Sequence, residues 1–306
     1  MSLKSMIQGN GPLSSELIDI LKSILPTKSQ FKTLSGKPAF SPDYSIKAPY
    51  ELSQSYYASI VGTAFDYMAR FIIAKKQHNV LGEYYKNTAA YKGLLLLKRS
   101  YDKKTFDQLT ARFRACTKQI DSYLQSGSDD FGDSLEAVCS WARFEQIART
   151  GGMPPADINT LLNKDNEEIL LDLRRICDTF NDAFVNAGLV ETNSQVIYNP
   201  TFSFYAAPLG GADADIYIDG TLYDFKTSKS LGYKWQEAAQ LIGYFLLHEV
   251  SKYSGMIGVS MAEQQINRIA FYHARYGEVE YLDISEMDQE ALEKAIANFS
   301  SLFNFN

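Results

Sequence analysis

Apolar residues in the first half of the chain return every three or four positions. Between Ser53 and Lys76 the residues Tyr57, Ile60, Val61, Ala64, Phe65, Met68, Phe71 and Ile72 fall on one stripe of an amphipathic helix. The same spacing predicts helices over 81–99, 102–126 and 133–149, with a short one around 15–25. The rest of residues 1–50 is rich in Ser, Pro and Lys and reads as loop. Gly151-Gly152-Met153-Pro154-Pro155 breaks the chain after the last of these helices. A helical turn opens at Pro155-Ala156-Asp157, and a long helix over 166–187 stops at Gly188.

After Gly188 the period changes. Residues 195–206 read as a strand, with Val196, Tyr198, Phe202 and Phe204 bracketing Pro200, which demands a sheet edge or a bulge. Asp215-Ile216-Tyr217-Ile218, then Asp219-Gly220, then Thr221 to Lys226 read as strand, two-residue type I′ turn and strand. A helix over 235–251, strands over 268–275 and 278–284 and a closing helix over 287–302 complete the pattern. The expected organisation is a mainly helical region, 1–165, followed by a mixed α/β (or α+β) region, 166–306.

Composition narrows the class. With 306 residues, 45% hydrophobic and 22% charged, the chain is an ordinary globular one, not a disordered tail, a collagen-like fibre or a small disulfide scaffold. No apolar run approaches the roughly 18 residues of a membrane span, so no membrane partner is expected. Met1-Ser2-Leu3-Lys4 opens no apolar signal segment, and a cytoplasmic location is the expectation. Cys116, Cys139 and Cys177 form no CxxC pair, and His78, His248 and His273 are scattered. That pattern disfavours structural zinc and an iron–sulfur cluster, so a metal here would be held by carboxylates.

The net charge of −6 hides an asymmetry. Residues 67–120 hold twelve basic side chains against Glu83, Asp102 and Asp107, a net +9 that leaves −15 on the remainder. Tyr84, Tyr85, Tyr91 and Tyr101 interleave with them, a mixture suited to phosphates and stacked bases. The ordinary alternative is a solvated helical face.

The hairpin carries the sharpest chemistry. A two-residue turn sets Asp215 opposite Asp224, and strand alternation puts Asp213, Asp215, Asp224 and Lys226 on one face. Like charges directly opposed destabilise a sheet unless a cation compensates them. Mg²⁺, held by one or two carboxylates plus water and phosphate, fits that need. Lys226 would then orient or deprotonate the attacking water and stabilise the developing negative charge. Solvated residues on the open face of a hairpin are the competing explanation.

These residues carry a family resemblance. Gly210-Gly211-Ala212-Asp213-Ala214-Asp215-Ile216, followed by Asp219 to Thr227, resembles the motifs of the PD-(D/E)XK nuclease superfamily, most closely its RecB-like exonuclease branch. Gln240-Leu241-Ile242-Gly243-Tyr244 is similar to that branch's Gln-x-x-x-Tyr motif, and residues at i and i+4 share a helix face. The resemblance spans roughly residues 166–285 and implies a restriction-endonuclease-like αβββαβ core, a mixed sheet flanked by helices. It implies Asp215 and Asp224 as ligands of Mg²⁺ or Mn²⁺, with the Phe225 carbonyl as a further ligand. It also implies Lys226 as the catalytic lysine, and Gln240 and Tyr244 as residues that support the site or touch substrate. Asp213 rivals Asp215. The branch often has a His or Glu on an early helix after a glycine; here Gly62-Thr63-Ala64-Phe65-Asp66 offers Asp66, with Glu168 and Asp172 as alternatives. Some relatives hold an iron–sulfur cluster on four cysteines, which three cysteines do not supply. No GxxxxGK[ST] loop is present, so no nucleotide cofactor is expected and any helicase or recombination motor would be a separate chain.

The expected function is a metal-dependent deoxyribonuclease that grips DNA through 67–120. A nuclease fold without catalysis, binding nucleic acid or a protein, is the alternative, and an unrelated α/β protein comes third. Arg275 reads either as a phosphate clamp or as an exposed strand end. Residues 143–149 read as a structural helix end, Trp141 and Trp235 as packing residues, His248 as a helix-dipole partner and the cysteines as buried apolar residues.

Overall fold

The computed structural model describes residues 3–79, 84–202, 212, 214–252, 261 and 263–303. Among them, helices α1 (Leu3–Ile7) and α2 (Ser14–Ser23) precede a short strand, β1 (Lys32–Thr33). A helical stretch follows: α3 (Tyr57–Lys76), α4 (Ala89–Leu96), α5 (Lys103–Gln125), α6 (Ser134–Arg149), α7 (Asn159–Leu162) and α8 (Glu167–Phe180). Strands β2 (Val196–Tyr198), β3 (Ile216–Ile218) and β4 (Thr221–Lys226) lead to α9 (Trp235–Lys252). Then β5 (Arg268–His273), β6 (Glu278–Asp283) and α10 (Gln289–Leu302) close the chain.

The strands form one mixed sheet in the order β1-β6-β5-β4-β3-β2, with β4 and β5 parallel and every other neighbouring pair antiparallel. Helices pack on both faces, so this is an α/β fold. On one face Ile216, Ile218, Tyr223, Phe225, Ala270 and Tyr272 join apolar residues of α3, α6 and α8. On the other, Tyr217, Leu222, Ile269, Phe271 and Leu282 join α1, α2, α9 and α10. Burial on both sides explains why β5 reads as an unbroken apolar run rather than an alternation.

The hairpin forms in the expected register, Ile218 opposite Thr221 and Tyr217 opposite Leu222. Asp219 and Gly220 take φ of +44° and +88°, the two left-handed residues a type I′ turn requires. Strand β2 covers only part of the predicted 195–206 and lies at the sheet edge, where Pro200 costs no ladder bond. Residues 203–206 of that expectation lie outside the described residues. The helix predicted over 81–99 is broken. Its described part is a 3₁₀ turn (Tyr84–Asn87), then α4, capped by Thr88 Oγ1 accepting the Tyr91 N–H at 3.1 Å, then another 3₁₀ turn (Leu97–Arg99). Helix α8 runs on as a π turn (Asn181–Val185) and stops at Gly188, φ +80°.

Residues 1–50 hold more structure than a loop with one helix. Leu3, Met6 and Ile7 of α1 are buried against the α9 side of the sheet, and β1 pairs with β6. Both hydrophobic clusters therefore draw on sequence from either side of residue 165. Arg275 is neither exposed nor a phosphate clamp. It is 1% exposed, and its guanidinium makes two bonds to Asp172, at 2.9 and 2.7 Å. Its Nε also donates to the Thr227 carbonyl at 2.7 Å. His248 lies four residues before the end of α9 and is fully buried, its Nε2 2.9 Å from the Met261 carbonyl oxygen. Among the described residues no helix is long and apolar enough to cross a membrane.

Candidate functional site

The hairpin delivers the predicted residues to one place. Extending the β3–β4 register by one pair sets Asp215 across from Asp224, and the Asp215 carboxylate accepts the Phe225 N–H at 2.5 Å. Asp224 and Lys226 project from β4 on the same side as Leu222, the face covered by α9. They are therefore not solvated residues on an open hairpin: Asp224 is only 8% exposed. Its Oδ2 forms an ion pair with Lys226 Nζ and is otherwise buried without a hydrogen-bond partner. Lys226 Nζ also lies 5.6 Å from the Phe271 ring centroid.

The charges act on one another. Burial, and then the neighbouring Asp224 charge, push the Asp215 carboxyl up to about 7, against the pull of the Phe225 N–H, Arg70 and Lys226. Burial disfavours the Lys226 ammonium, but Asp224, Glu237 and Asp215 outweigh it and hold its pKa above the ordinary lysine value. Because Glu237 acts on Lys226, the first turn of α9 lies near the site. One turn further along α9, Gln240 Nε2 donates to the Tyr244 hydroxyl at 2.6 Å, and the Tyr244 ring stacks on Phe202 at 5.7 Å.

Helix α3 closes the other side. A Cβ at Gly62 would come within 3.1 Å of Thr227 Oγ1, so the helix runs hard against the end of β4. One turn on, Asp66 has its carboxyl pushed well above the usual range, by burial first and then by Asp215. Of the three candidates for an early-helix carboxylate, only Asp66 comes to this site. Glu168 accepts from Ser53 N and Oγ at 2.9 and 3.0 Å, and Asp172 is committed to Arg275. Asp213 lies outside the described residues.

Sequence reasoning missed a second set of groups. Arg70, one turn beyond Asp66, donates to the Asp66 carbonyl at 2.8 Å and to Asn199 Oδ1 at 3.0 Å. His273 sits beside Lys226 in the parallel register, and its Nε2 lies 2.7 Å from Glu280 Oε2, while its buried Nδ1 has no hydrogen-bond partner. With Glu278 opposite His273, ionisable side chains run along one face from Asp215 across β4 and β5 to β6. The available signal was the alternation Glu278-Val279-Glu280, which sets two carboxylates on the face of apolar Leu282.

The basic stretch divides. Lys92, Lys98, Arg99, Lys103, Lys104, Arg114 and Lys118 are exposed, whereas Arg112 pairs with Glu136. The interleaved tyrosines are partly buried and pack against the helical hydrophobic cluster. Tyr84 lies 5.9 Å from Trp141, Tyr91 lies 5.7 Å from both Tyr85 and Phe113, and Tyr101 is half-buried against the same cluster.

A divalent ion suits the chemistry of this donor set. Two mutually repelling carboxylates, of which Asp224 alone is met by a lysine ammonium, are what a further cation relieves. Among the described residues no group of three or more His, Cys, Asp or Glu is arranged to hold a metal, so the set on offer is the Asp215–Asp224 pair, a number Mg²⁺ accepts. No family model, curated protein or solved structure matches the chain at a significant level.

Proposed function

We propose that the chain is a metal-dependent nuclease of the PD-(D/E)XK type, acting on DNA and, as the RecB-like resemblance implies, as an exonuclease. The observation that carries the proposal is the convergence of Asp215, Asp224 and Lys226 on one sheet face, with Asp66 of α3 close enough to act on Asp215 and the first turn of α9 close enough to act on Lys226. The order α8, β2, β3, β4, α9, β5 supports the same reading, because it is the αβββαβ order that the resemblance implies.

In this reading Asp215 and Asp224 hold Mg²⁺ or Mn²⁺. When bound, the ion supplies Lewis-acid polarisation of the attacking water and of a phosphoryl oxygen. Lys226, fixed by Asp224, orients the water and offsets the charge that gathers on the phosphoryl oxygens. Gln240 and Tyr244 lock each other's rotamers and so present one rigid polar edge. The exposed cations between Lys92 and Lys118 attract the phosphate backbone.

The test is cleavage of labelled linear and circular DNA with Mn²⁺ or Mg²⁺, by wild type, Lys226→Ala and Asp224→Asn, with melting temperatures taken with and without Mn²⁺. Metal-dependent cutting lost in both variants, with the Mn²⁺ stabilisation lost in Asp224→Asn, supports the proposal. Mn²⁺ stabilisation and DNA binding without cutting favour a catalytically inactive binding module. No cutting, no binding and no Mn²⁺ shift sink the reading.

A further inference from the structure

The N-terminal segment crosses the sheet at the candidate site and is fastened there by one carboxylate. Glu280 is fully buried; its Oε1 accepts the Phe40 N–H at 2.5 Å and the Tyr44 hydroxyl at 2.8 Å, and its Oε2 meets His273 Nε2 at 2.7 Å. A buried carboxylate needs such donors, and here two come from a segment some 240 residues away in sequence. Phe40 itself takes φ of +53°, a left-handed conformation that a bulky residue keeps only where its surroundings enforce it.

The position held in this way matters for the site. The Phe40 ring packs 5.4 Å from Tyr233 and 6.2 Å from Phe271. Phe31, just before β1, packs 6.2 Å from Tyr233 and stacks on Phe271 at 5.9 Å. Tyr233 lies in the connection, residues 227–234, that joins Lys226 to α9, and its hydroxyl donates to the Pro26 carbonyl at 2.5 Å. Phe271 is the ring beneath the Lys226 ammonium. Through these rings the segment fixes both the surface under Lys226 and the connection leading to Gln240.

We infer that Glu280 is a positioning residue of the candidate site: by fastening Phe40 and Tyr44 it holds the 227–234 connection and the Phe271 ring that set where Lys226 points. This rests on the nuclease reading for its catalytic consequence, but not for its structural one. Glu280 is fully buried, out of reach of a substrate at the surface, so its removal is expected to act on the chemical step more than on binding.

The experiment compares wild type, Glu280→Ala, Glu280→Gln and Phe40→Gly by hydrogen exchange and by DNA cleavage with Mn²⁺. Glu280→Gln keeps an oxygen for Phe40 and Tyr44. Phe40→Gly suits the left-handed backbone while deleting the ring, so it gives an answer even if Glu280→Ala fails to fold. Expected for Glu280→Ala and Phe40→Gly is faster exchange over 227–234 and a fall in kcat of about 10- to 100-fold with KM little changed, with Glu280→Gln close to wild type. Faster exchange in 34–48 alone, with 227–234 and kcat unmoved, overturns the inference. If wild type cuts nothing, the nuclease reading falls, and exchange over 227–234 still decides whether the segment holds the connection.

Discussion

Asp215→Asn should make the protein more stable and, in the nuclease reading, inactive. In the folded chain burial and Asp224 push the Asp215 carboxyl from 3.8 to about 7. The unfolded chain releases this proton near pH 4, the folded chain only near pH 7. Between those values the folded state binds more protons, so the Asp215 contribution to stability falls as pH rises, by about 1.4 kcal/mol per unit. The full shift corresponds to about 4 kcal/mol, and partial access of solvent to Asp215 brings the expected range to about 2–4 kcal/mol above pH 7. Asparagine carries no charge and still offers an oxygen to the Phe225 N–H, so it removes this cost while keeping the bond. For a chain of 306 residues, about 1.6 °C accompanies each kcal/mol, giving a melting temperature about 3–6 °C above wild type at pH 8. At pH 5 only the first part of that range has been crossed, so the gap should shrink to about 1–2 kcal/mol, and the two proteins should melt together only below about pH 4, where the unfolded carboxyl is protonated as well. In the nuclease reading Mn²⁺ narrows or reverses the order, because the ion would then stabilise the wild type through Asp215. Differential scanning calorimetry at pH 5 and pH 8 measures all of this. A variant no more stable than wild type at pH 8, or equally stabilised at pH 5, would refute the electrostatic argument.

Three further outcomes are expected. Asp172→Ala strands the buried Arg275 guanidinium and should cost about 3–5 kcal/mol by urea denaturation, most of it recovered when Arg275→Met is added. A Cβ at Gly93 would lie 1.8 Å from the Phe144 carbonyl oxygen, so Gly93→Ala must push α4 off α6; a loss of about 3 kcal/mol is expected, and a neutral result would mean the helices are not that close. Replacing Lys98, Arg99, Lys103 and Lys104 by alanine should weaken DNA binding and reduce the salt dependence by about one unit of slope per lost phosphate contact, as read by fluorescence anisotropy.

What the sequence disclosed depended on how local the signal was. The Asp219–Gly220 turn fixes the alignment of Asp215 with Asp224 from a handful of adjacent residues, and the structure keeps that alignment. Asp66 was legible only as one of three options, because its spacing from Gly62 is local but its approach to Asp215 is tertiary. Arg275 and Asp172 are 103 residues apart, and nothing near either one announces the pair. Strand β1, two residues long, is too short for any period to register, so its pairing with β6 is visible only in three dimensions. The tyrosines at 84, 85, 91 and 101 stayed ambiguous because an aromatic between lysines reads the same whether it faces a base or packs on a neighbouring ring, as Tyr84 does on Trp141.

The way the N-terminal residues thread into the sheet bears on how the molecule is made. Residues 3–40 pack mainly on α9, β5, β6 and α10, all of which are synthesised more than 180 residues later. Contacts of such long range close slowly, since each must repay a large loop before it contributes. On the ribosome α3 to α8 can fold against one another while α1, α2 and β1 wait without their partners. The face bearing Asp224 and Lys226 is completed only when the last strand and helix emerge, so a nascent or truncated chain carries no assembled centre.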